Sequence, residues 1–248
     1  MEAIYIMWLR QLKRFWRSKP RILSSLAQPL LFLIALGFGF GPIYTKAGGG
    51  NYMQFLAPGI IAMTVLFTAM FSGIEVIWDR EFGFLKETLV APVSRAKIMI
   101  GRSLGGATVA FLQGLLVLII CMLVGFEPLK TIALPMALLF MFLIALFFTA
   151  FGTAIASMLQ DMQAFPLIMN FILMPLFFLS GALFPLDGMP KAITIVTKLN
   201  PLSYGVDGIR ASLTGVSHFG IGVDLLVMSV ITVIIFALGS YLFSKIQI

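Results

Sequence analysis

The sequence predicts an all-α, polytopic membrane protein with six transmembrane helices. Sixty per cent of its 248 residues are hydrophobic and only 11% are charged, whereas a soluble domain carries about 25% charged residues. On a soluble protein these residues would form one aggregation-prone apolar surface. The apolar residues also gather in stretches long enough to cross a bilayer. Residues 1–248 therefore form a single transmembrane domain in this interpretation, with the lipid bilayer as its first partner.

Six apolar stretches have the length of a membrane span. A helix needs about 20 residues to cross a hydrocarbon core of about 30 Å, and its backbone polar groups must pair within the helix. The stretches that meet this requirement are 22–41, 55–78, 99–125, 132–157, 164–184 and 221–243.

Residues 1–21 precede the first span and have an amphipathic helical pattern. Apolar side chains recur at helical spacing on one arc, and basic side chains occupy the other: Ile4, Trp8, Leu12 and Phe15 against Arg10, Lys13, Arg14 and Arg17. A basic helix of this kind typically lies in the membrane interface. The alternative is a simple basic anchor with no mechanical role.

The basic residues predict the orientation of the spans. Twelve of the 17 Lys and Arg residues lie in 1–21, in 80–102 or at Lys245, and five lie on the opposite side. Basic residues concentrate on the cytoplasmic side of membrane proteins. We therefore expect a multi-pass protein of the cell membrane with both termini in the cytoplasm.

Residues 185–220 form a patterned region before the last span. Turn residues at 185–190 precede a short apolar stripe, Asn200-Pro201 interrupts it, and Asp207 and Arg210 follow at the i,i+3 spacing of a helical ion pair. The pattern predicts two short helices on the outer side.

The chain carries no recognisable catalytic or metal-binding motif. It has no G-x-x-x-x-G-K-[ST] loop for nucleotide phosphates, and its only histidine, His218, has no nearby His or Cys partner. The single cysteine, Cys121, lies inside an apolar stretch. The basic residues lack the interleaved polar readers of a nucleic-acid surface. We therefore expect no catalytic residue, no bound metal or cofactor, no nucleic-acid partner and no enzymatic activity of the chain itself.

Few polar side chains lie within the predicted spans. Glu75 lies about one turn inside the cytoplasmic end of the second span, where pairing with a nearby arginine is expected. Gln113 and Asn170 lie deepest. They are interpreted either as interhelical hydrogen-bonding groups or as part of a translocation path.

The loop at 79–95 combines charges of both signs with apolar side chains. Phe82, Leu85 and Leu89 fall on one helical face, and Pro92 ends that helix because it disfavours helical geometry at the preceding residue. The pattern leaves two alternatives, a helix that docks a protein partner and a helix that rests on lipid headgroups.

Three segments resemble the two sequence signatures of a known protein family. Residues 80–95, R-E-F-G-F-L-K-E-T-L-V-A-P-V-S-R, resemble the loop of the type-2 ATP-binding-cassette (ABC) exporter permeases, usually E-x-G-T-x-E-x-L-x-x-[ST]-P-V-S-R. Residues 184–190 and 200–210, F-P-L-D-G-M-P and N-P-L-S-Y-G-V-D-G-I-R, resemble that family's second signature. The similarity covers the whole chain and favours the daunorubicin-resistance and nodulation-factor branch. Phe84 stands where Thr is common, and Lys86-Glu87 shifts the acidic residue by one position.

The resemblance implies a function and a set of partners. It implies a permease that pairs with a second permease copy, as a homodimer or a heterodimer, and with two ATPase subunits that bind ATP and Mg²⁺. An amphiphilic drug, lipid or glycan-linked substrate would leave the cytoplasm of a prokaryotic cell. An ATP-independent channel or facilitator is the alternative.

The resemblance also assigns residues. The coupling motif is matched by Glu81, Gly83, Glu87, Pro92 and Arg95, with Phe82 and Leu85 as the apolar anchors that would dock into the ATPase. The outer motif is matched by Asn200, Pro201, Tyr204 and Arg210.

Overall fold

The computed structural model describes residues 2–46, 50–84, 93–129, 133–159, 161–186 and 188–244. Ten helices lie within these ranges. They are α1 (Glu2–Arg17), α2 (Lys19–Lys46), α3 (Tyr52–Phe71), α4 (Ile74–Glu81), α5 (Arg95–Leu123), α6 (Leu134–Met158), α7 (Ala164–Phe178), α8 (Lys191–Leu199), α9 (Pro201–Thr214) and α10 (Ile221–Ser244).

Five helical segments are long and apolar enough to cross a membrane. They are Ile22–Lys46, Tyr52–Glu81, Arg95–Leu123, Leu134–Met158 and Ile221–Ser244. The predicted all-α membrane architecture is therefore confirmed, but the count of six spans is not. The predicted fifth span, 164–184, contains only the 15-residue helix α7, which extends about 22 Å at 1.5 Å per residue.

The chain after α7 is not helical, although it continues along α3. Gly181 has a φ of +77°, a left-handed conformation that glycine adopts without a steric penalty. Ala182 and Leu183 beyond it are buried, Gly59 of α3 lies directly against the backbone of Ala182, and the Tyr52 hydroxyl donates to the Leu183 carbonyl oxygen. Residues 180–183 are buried inside the protein, so the hydropathy of this stretch does not by itself show a helix that faces lipid.

The centre of the bundle is α3, which packs against α5, α6 and α9. In the most apolar window of each segment, 72% of residues are buried for Tyr52–Glu81, against 11% for Ile22–Lys46 and 17% for Ile221–Ser244. The helices α2 and α10 therefore present wide apolar faces outward. In a membrane these faces contact lipid or another copy of the protein.

Close backbone contacts fix the crossing of α3, α4 and α6. The chain bends at Ser72-Gly73 between α3 and α4. A Cβ atom on Gly73 would lie 2.5 Å from the carbonyl carbon and oxygen of Gly152 in α6, and one on Gly152 would lie 2.5 Å from the Met70 carbonyl oxygen. Only glycine fits at either position, because small residues let helix backbones approach this closely.

The first helix is fastened to α5 and not only to the membrane surface. Cβ atoms on Gly101 and Gly105 would lie 2.8 Å from the Ile4 carbonyl oxygen and 2.6 Å from the Gln11 side chain. The Trp8 indole Nε1 donates a hydrogen bond of 3.0 Å to Thr108 Oγ1. Placement of α1 in the membrane interface stays a prediction.

The glycine contact between α6 and α3 predicts the cost of one added methyl group. Gly152→Ala should destabilise the protein by about 1–3 kcal/mol, because the Met70 backbone cannot move aside as a side chain would. Thermal unfolding in detergent should show Tm falling by roughly 2–4 °C for each kcal/mol. Gly39→Ala in α2 is the matched control, since no heavy atom lies within 4 Å of its added Cβ. Equal Tm values for the two variants would contradict this packing.

Candidate functional site

An ionic cluster joins α1, α4 and α5 at one end of the bundle. It consists of Arg10, Arg14, Glu75, Asp79 and Arg102. Asp79 accepts hydrogen bonds from Arg102 Nη1 at 2.6 Å and from Arg10 Nη2 at 2.9 Å. Arg14 Nη1 lies 3.8 Å from Asp79 and 3.7 Å from Glu75. The expectation that Glu75 pairs with an arginine is confirmed.

Helical spacing explains why these five side chains meet. Residues four apart lie on one face of a helix, so Glu75 and Asp79 project together from α4, and Arg10 and Arg14 project together from α1. Asp79 and Arg102 are each 3% exposed, whereas the side chains of Arg10 and Arg14 are 36% and 37% exposed. The Asp79–Arg102 pair at the base of the ionic cluster is thus shielded from solvent, whereas Arg10 and Arg14 on α1 are partly exposed.

Arg80 ties α4 to a third helix. Its Nη1 and Nη2 atoms donate to the carbonyl oxygens of Leu159 and Ser157, at 2.9 and 3.1 Å. These carbonyl groups lie at the C-terminus of α6, where the helix leaves acceptors unpaired and favours a cation. The short helix α4 is therefore held by α1, α5 and α6 together.

The predicted coupling residues begin where α4 ends. Glu81 is the last residue of α4, Phe82 follows as its C-cap, and Gly83 has a φ of +81°. Phe82 and Phe84 are 68% and 52% exposed. Leu85, Glu87 and Pro92 lie outside the described residues.

The last predicted coupling residue, Arg95, starts α5. Its Nη1 atom donates to the carbonyl oxygen of Ser244 at the end of α10, at 2.6 Å. The two ends of the loop are therefore both attached to transmembrane helices.

A groove of about 970 Å³ runs between α1 and residues 82–84. Four basic side chains and one carboxylate line it together with apolar groups. Its described lining is Ile6, Leu9, Arg10, Lys13, Arg14, Arg17, Ser18, Pro20, Asp79, Phe82 and Phe84. The groove complements a surface that is acidic and partly apolar.

The outer-motif residues join α7, α8 and α9. Asn200 caps α9 by accepting from the Leu202 N–H, and its Nδ2 donates to the Leu176 carbonyl oxygen in α7 at 2.6 Å. Pro201 occupies the first turn of α9, where its missing N–H costs nothing. The Tyr204 hydroxyl donates to the Lys198 carbonyl oxygen of α8 at 2.8 Å.

Arg210 is buried and holds the segment that follows α7. Its Nη2 donates to the Gly181 carbonyl oxygen at 2.8 Å, and its guanidinium lies 4.1 Å from the centre of the Phe55 ring. Burial lowers the pKa of Arg210 to about 10, although the nearby Asp207 carboxylate acts in the opposite direction. The side chain therefore stays charged at pH 7.

The predicted ion pair between Asp207 and Arg210 is wrong. Asp207 instead accepts from the backbone N–H groups of His218 and Phe219, at 2.9 and 2.8 Å, and from the Ser217 hydroxyl at 3.1 Å. Residues 215–218 of this loop are exposed, so these hydrogen bonds hold a segment that has little packing of its own. Asp207 thus fastens the turn between α9 and α10.

Asp224 is a buried residue that sequence reasoning missed. It lies in the first turn of α10 and is fully buried, and neither of its carboxyl oxygens has a hydrogen-bond partner in the described part of the chain. A buried carboxylate without a donor costs free energy. In the sequence Asp224 is indistinguishable from an ordinary acidic residue at a helix start.

The structure separates Gln113 from Asn170. Gln113 is fully buried in α5, and neither of its amide atoms has a hydrogen-bond partner in the described part of the chain. Asn170 lies on the exposed side of α7. The two residues do not line one path within a single copy of the protein, and Gln113 forms no interhelical hydrogen bond there.

Comparison with known proteins identifies the family. The model of the ABC-2 type transporter family matches residues 2–214. The chain belongs to the ABC-2 type transporter family. A putative transport permease, ycf38, of Cyanophora paradoxa is 31% identical over 261 residues, covering 99% of this chain and 89% of the relative. Nodulation protein J of Rhizobium leguminosarum bv. viciae is 30% identical over 196 residues, covering 78% and 75%.

Family membership agrees with the resemblance to the nodulation-factor branch. An ABC-2 permease is a multi-pass membrane protein that belongs to an ABC transporter, and permeases of this family generally pair with an ATPase subunit.

The ionic cluster of this ABC-2 permease should respond unequally to substitution. Asp79→Ala should destabilise it by about 3–5 kcal/mol, because Arg102 would remain buried without its carboxylate. Arg10→Ala should cost only about 0.2–1 kcal/mol, since that side chain is partly exposed. The double variant Asp79→Leu with Arg102→Met should unfold at a higher temperature than Asp79→Ala. A Tm change for Arg10→Ala as large as for Asp79→Ala would contradict the buried base of the cluster.

Asp207 and Asp224 of the ABC-2 permease should also respond unequally. Asp224→Asn should leave Tm unchanged or raise it, because it replaces a buried carboxyl group that has no hydrogen-bond donor by a neutral amide. Asp207→Ala should destabilise by about 0.5–1.5 kcal/mol for each of the hydrogen bonds that it accepts from the loop. Thermal unfolding in detergent compares the two. These assignments are incorrect if Asp224→Asn lowers Tm as strongly as Asp207→Ala.

Proposed function

We propose that the chain is the transmembrane subunit of an ATP-driven exporter, moving an amphiphilic drug, lipid or glycan-linked substrate out of the cytoplasm. One observation carries this proposal. Two exposed phenylalanines, Phe82 and Phe84, extend from a short helix that is tied to three others by buried charged groups. A solvated loop without a partner gains nothing from exposed phenylalanines on a firmly held helix. A loop that binds a partner and transmits its movement to the bundle needs both features.

The partner in this proposal is a pair of ATPase subunits, which bind ATP and Mg²⁺. The apolar anchors Phe82 and Leu85 dock into the ATPase, while Glu81 and Glu87 fix the orientation through basic partners. Gly83 gives the turn, Pro92 ends the coupling helix, and Arg95 returns the chain to α5. The basic groove beside α1 accepts acidic side chains of the same partner.

A second permease copy completes the transporter. The outward apolar faces of α2, α7 and α10 supply surface for this contact and for lipid. Gly37 of α2 faces Met53 of α3 and so does not belong to this outward surface. Asn170, exposed on α7, faces the path or the second copy in a homodimer or heterodimer. Both termini and residues 79–95 lie in the cytoplasm, and 185–220 lie outside a prokaryotic plasma membrane.

ATP-driven closure of the ATPases moves the loop and, through it, α4. The Asp79–Arg102 and Arg10–Asp79 hydrogen bonds pass the displacement to α5 and α1, and Arg80 passes it to α6. Rigid-body tilting of packed helices is an established route for such a change, because packed cores switch between discrete arrangements.

Substitution of the anchors tests the proposal. Phe82→Ala with Leu85→Ala should release the ATPase, or uncouple its hydrolysis from transport, because truncating a buried interface anchor costs about 2 kcal/mol or more. Adding Glu87→Lys should weaken binding further by opposing like charges. Recovery of the ATPase is measured by co-purification at equal permease levels. Phe184→Ala is the matched control, since Phe184 is an exposed phenylalanine outside the loop and outside α2, α7 and α10.

Three outcomes are distinguishable. Loss of the ATPase from the loop variants but not from Phe184→Ala supports a coupling helix. Full ATPase recovery and normal transport in the triple variant would show that the loop rests on lipid headgroups. Transport that persists without any ATPase would favour a channel or facilitator.

A further inference from the structure

A cavity of about 180 Å³ lies between α2, α3 and α5, beside the end of α1. Its described lining combines aromatic rings with polar side chains, and none of these residues is charged. They are Phe15, Ser24, Ser25, Gln28, Pro29, Met63, Thr64, Phe67, Thr68, Phe71, Val109 and Gln113. The cavity is separate from the ionic cluster and from the outer-motif residues.

Gln113 is the residue of this cavity that indicates a ligand. It is fully buried, and its Oε1 and Nε2 atoms both lack a partner among the described residues. It lies eleven residues beyond Arg102 on α5, which is about 16 Å deeper along the helix. This depth is near the middle of a hydrocarbon core of about 30 Å, where unpaired polar groups are costly.

The neighbouring hydroxyl groups determine what Gln113 can hold. Thr64 and Ser25 donate their protons to the backbone oxygens of Ile60 and Ile22, at 2.9 Å each. Their oxygens therefore remain acceptors toward the cavity. Gln113 adds two hydrogen-bond donors and one acceptor. The cavity lining therefore complements a neutral ligand that both donates and accepts hydrogen bonds.

Volume and aromatic lining limit the ligand further. A cavity of about 150 Å³ holds a benzene molecule, so about 180 Å³ admits one six-membered ring. Phe15, Phe67 and Phe71 offer apolar surface, on which the face of a ring packs better than water does. A charged head group is disfavoured, because no counter-charge lies in the described lining.

We propose that this cavity binds a neutral, hydroxyl-bearing ring, the size of one hexose, on an amphiphile, with Gln113 making the orienting hydrogen bonds. The alkyl part of the amphiphile extends along the apolar walls toward the bilayer. That the occupant is exported cargo rests on the proposed function, whereas binding itself does not.

Photolabelling tests the site without ATPase or nucleotide. The permease in phosphatidylcholine nanodiscs is irradiated with octyl glucoside that carries a diazirine in its alkyl chain, and labelled peptides are identified by mass spectrometry. Label should appear on residues 63–71 of α3, and excess octyl glucoside should remove it. Excess octyltrimethylammonium, with the same chain and a cationic head, should not.

Two variants define the contribution of the amide. Gln113→Leu should reduce the competable labelling at least tenfold, because the amide hydrogen bonds are lost. Gln54→Leu is the matched control: Gln54 Oε1 is also buried without a partner, but the residue lies near the start of α3 and does not line the cavity. It should label as the unmodified protein does, and equal Tm values for both variants would exclude misfolding.

Several results would overturn the proposal. Labelling of Gln113→Leu at the unmodified level would show that the alkyl chain alone enters the cavity. Equal competition by the cationic amphiphile would exclude selection for a neutral ring, and absence of label on 63–71 would leave water as the occupant. Normal binding with no transport would instead count against the export function and not against the site.

Discussion

The hydrogen bond between Asp79 and Arg102 is the contact on which the cytoplasmic half of the proposed mechanism depends. It joins residues 23 positions apart at the base of the loop that leaves α4 and returns on α5. Both groups are buried, so their desolvation is offset only while the pair stays intact. The loop therefore cannot separate from the bundle without exposing or orphaning a charge. In the proposed mechanism a displacement of Phe82 reaches α5 through Asp79 and α6 through Arg80.

The bend between α3 and α4 gives this lever a direction. At Gly73 the backbone lies against Gly152 of α6, and a few residues later Arg80 holds the C-terminal carbonyl groups of the same helix. Two contacts to α6 from the two ends of α4 resist sliding of α4 along α6 more than they resist rotation about it. Displacement of the loop should therefore tilt α4 and carry α1 with it through Arg10.

The sequence predicted those parts of the structure that local pattern determines. Hydropathy placed five spans and the helical region before the last one, and the loop signature located the exposed Phe82. It did not locate the end of helix α7 within 164–184, because an apolar stretch has the same hydropathy whether it faces lipid or packs against α3. The conformation after α7 depends on Arg210 and on the Asn200–Leu176 bond, which spans 24 residues. Likewise, in the sequence Arg102 is one of several basic residues at the end of a span, and Asp79 is one of several acidic residues in a loop. Only the tertiary packing brings the two together as an ion pair.

The two ends of the molecule use charge in different ways. At the outer motif, Arg210 is buried and bound to the Gly181 backbone, and Asp207 is bound to the loop after α9, so neither group is free to exchange partners with water. At the ionic cluster, Arg10 and Arg14 are about one-third exposed and share the same carboxylates, and salt weakens such contacts. Exposed, shared contacts rearrange at low cost, whereas buried single contacts do not. The outer end is therefore the fixed point of the bundle, and conformational change is expected to enter from the ionic cluster.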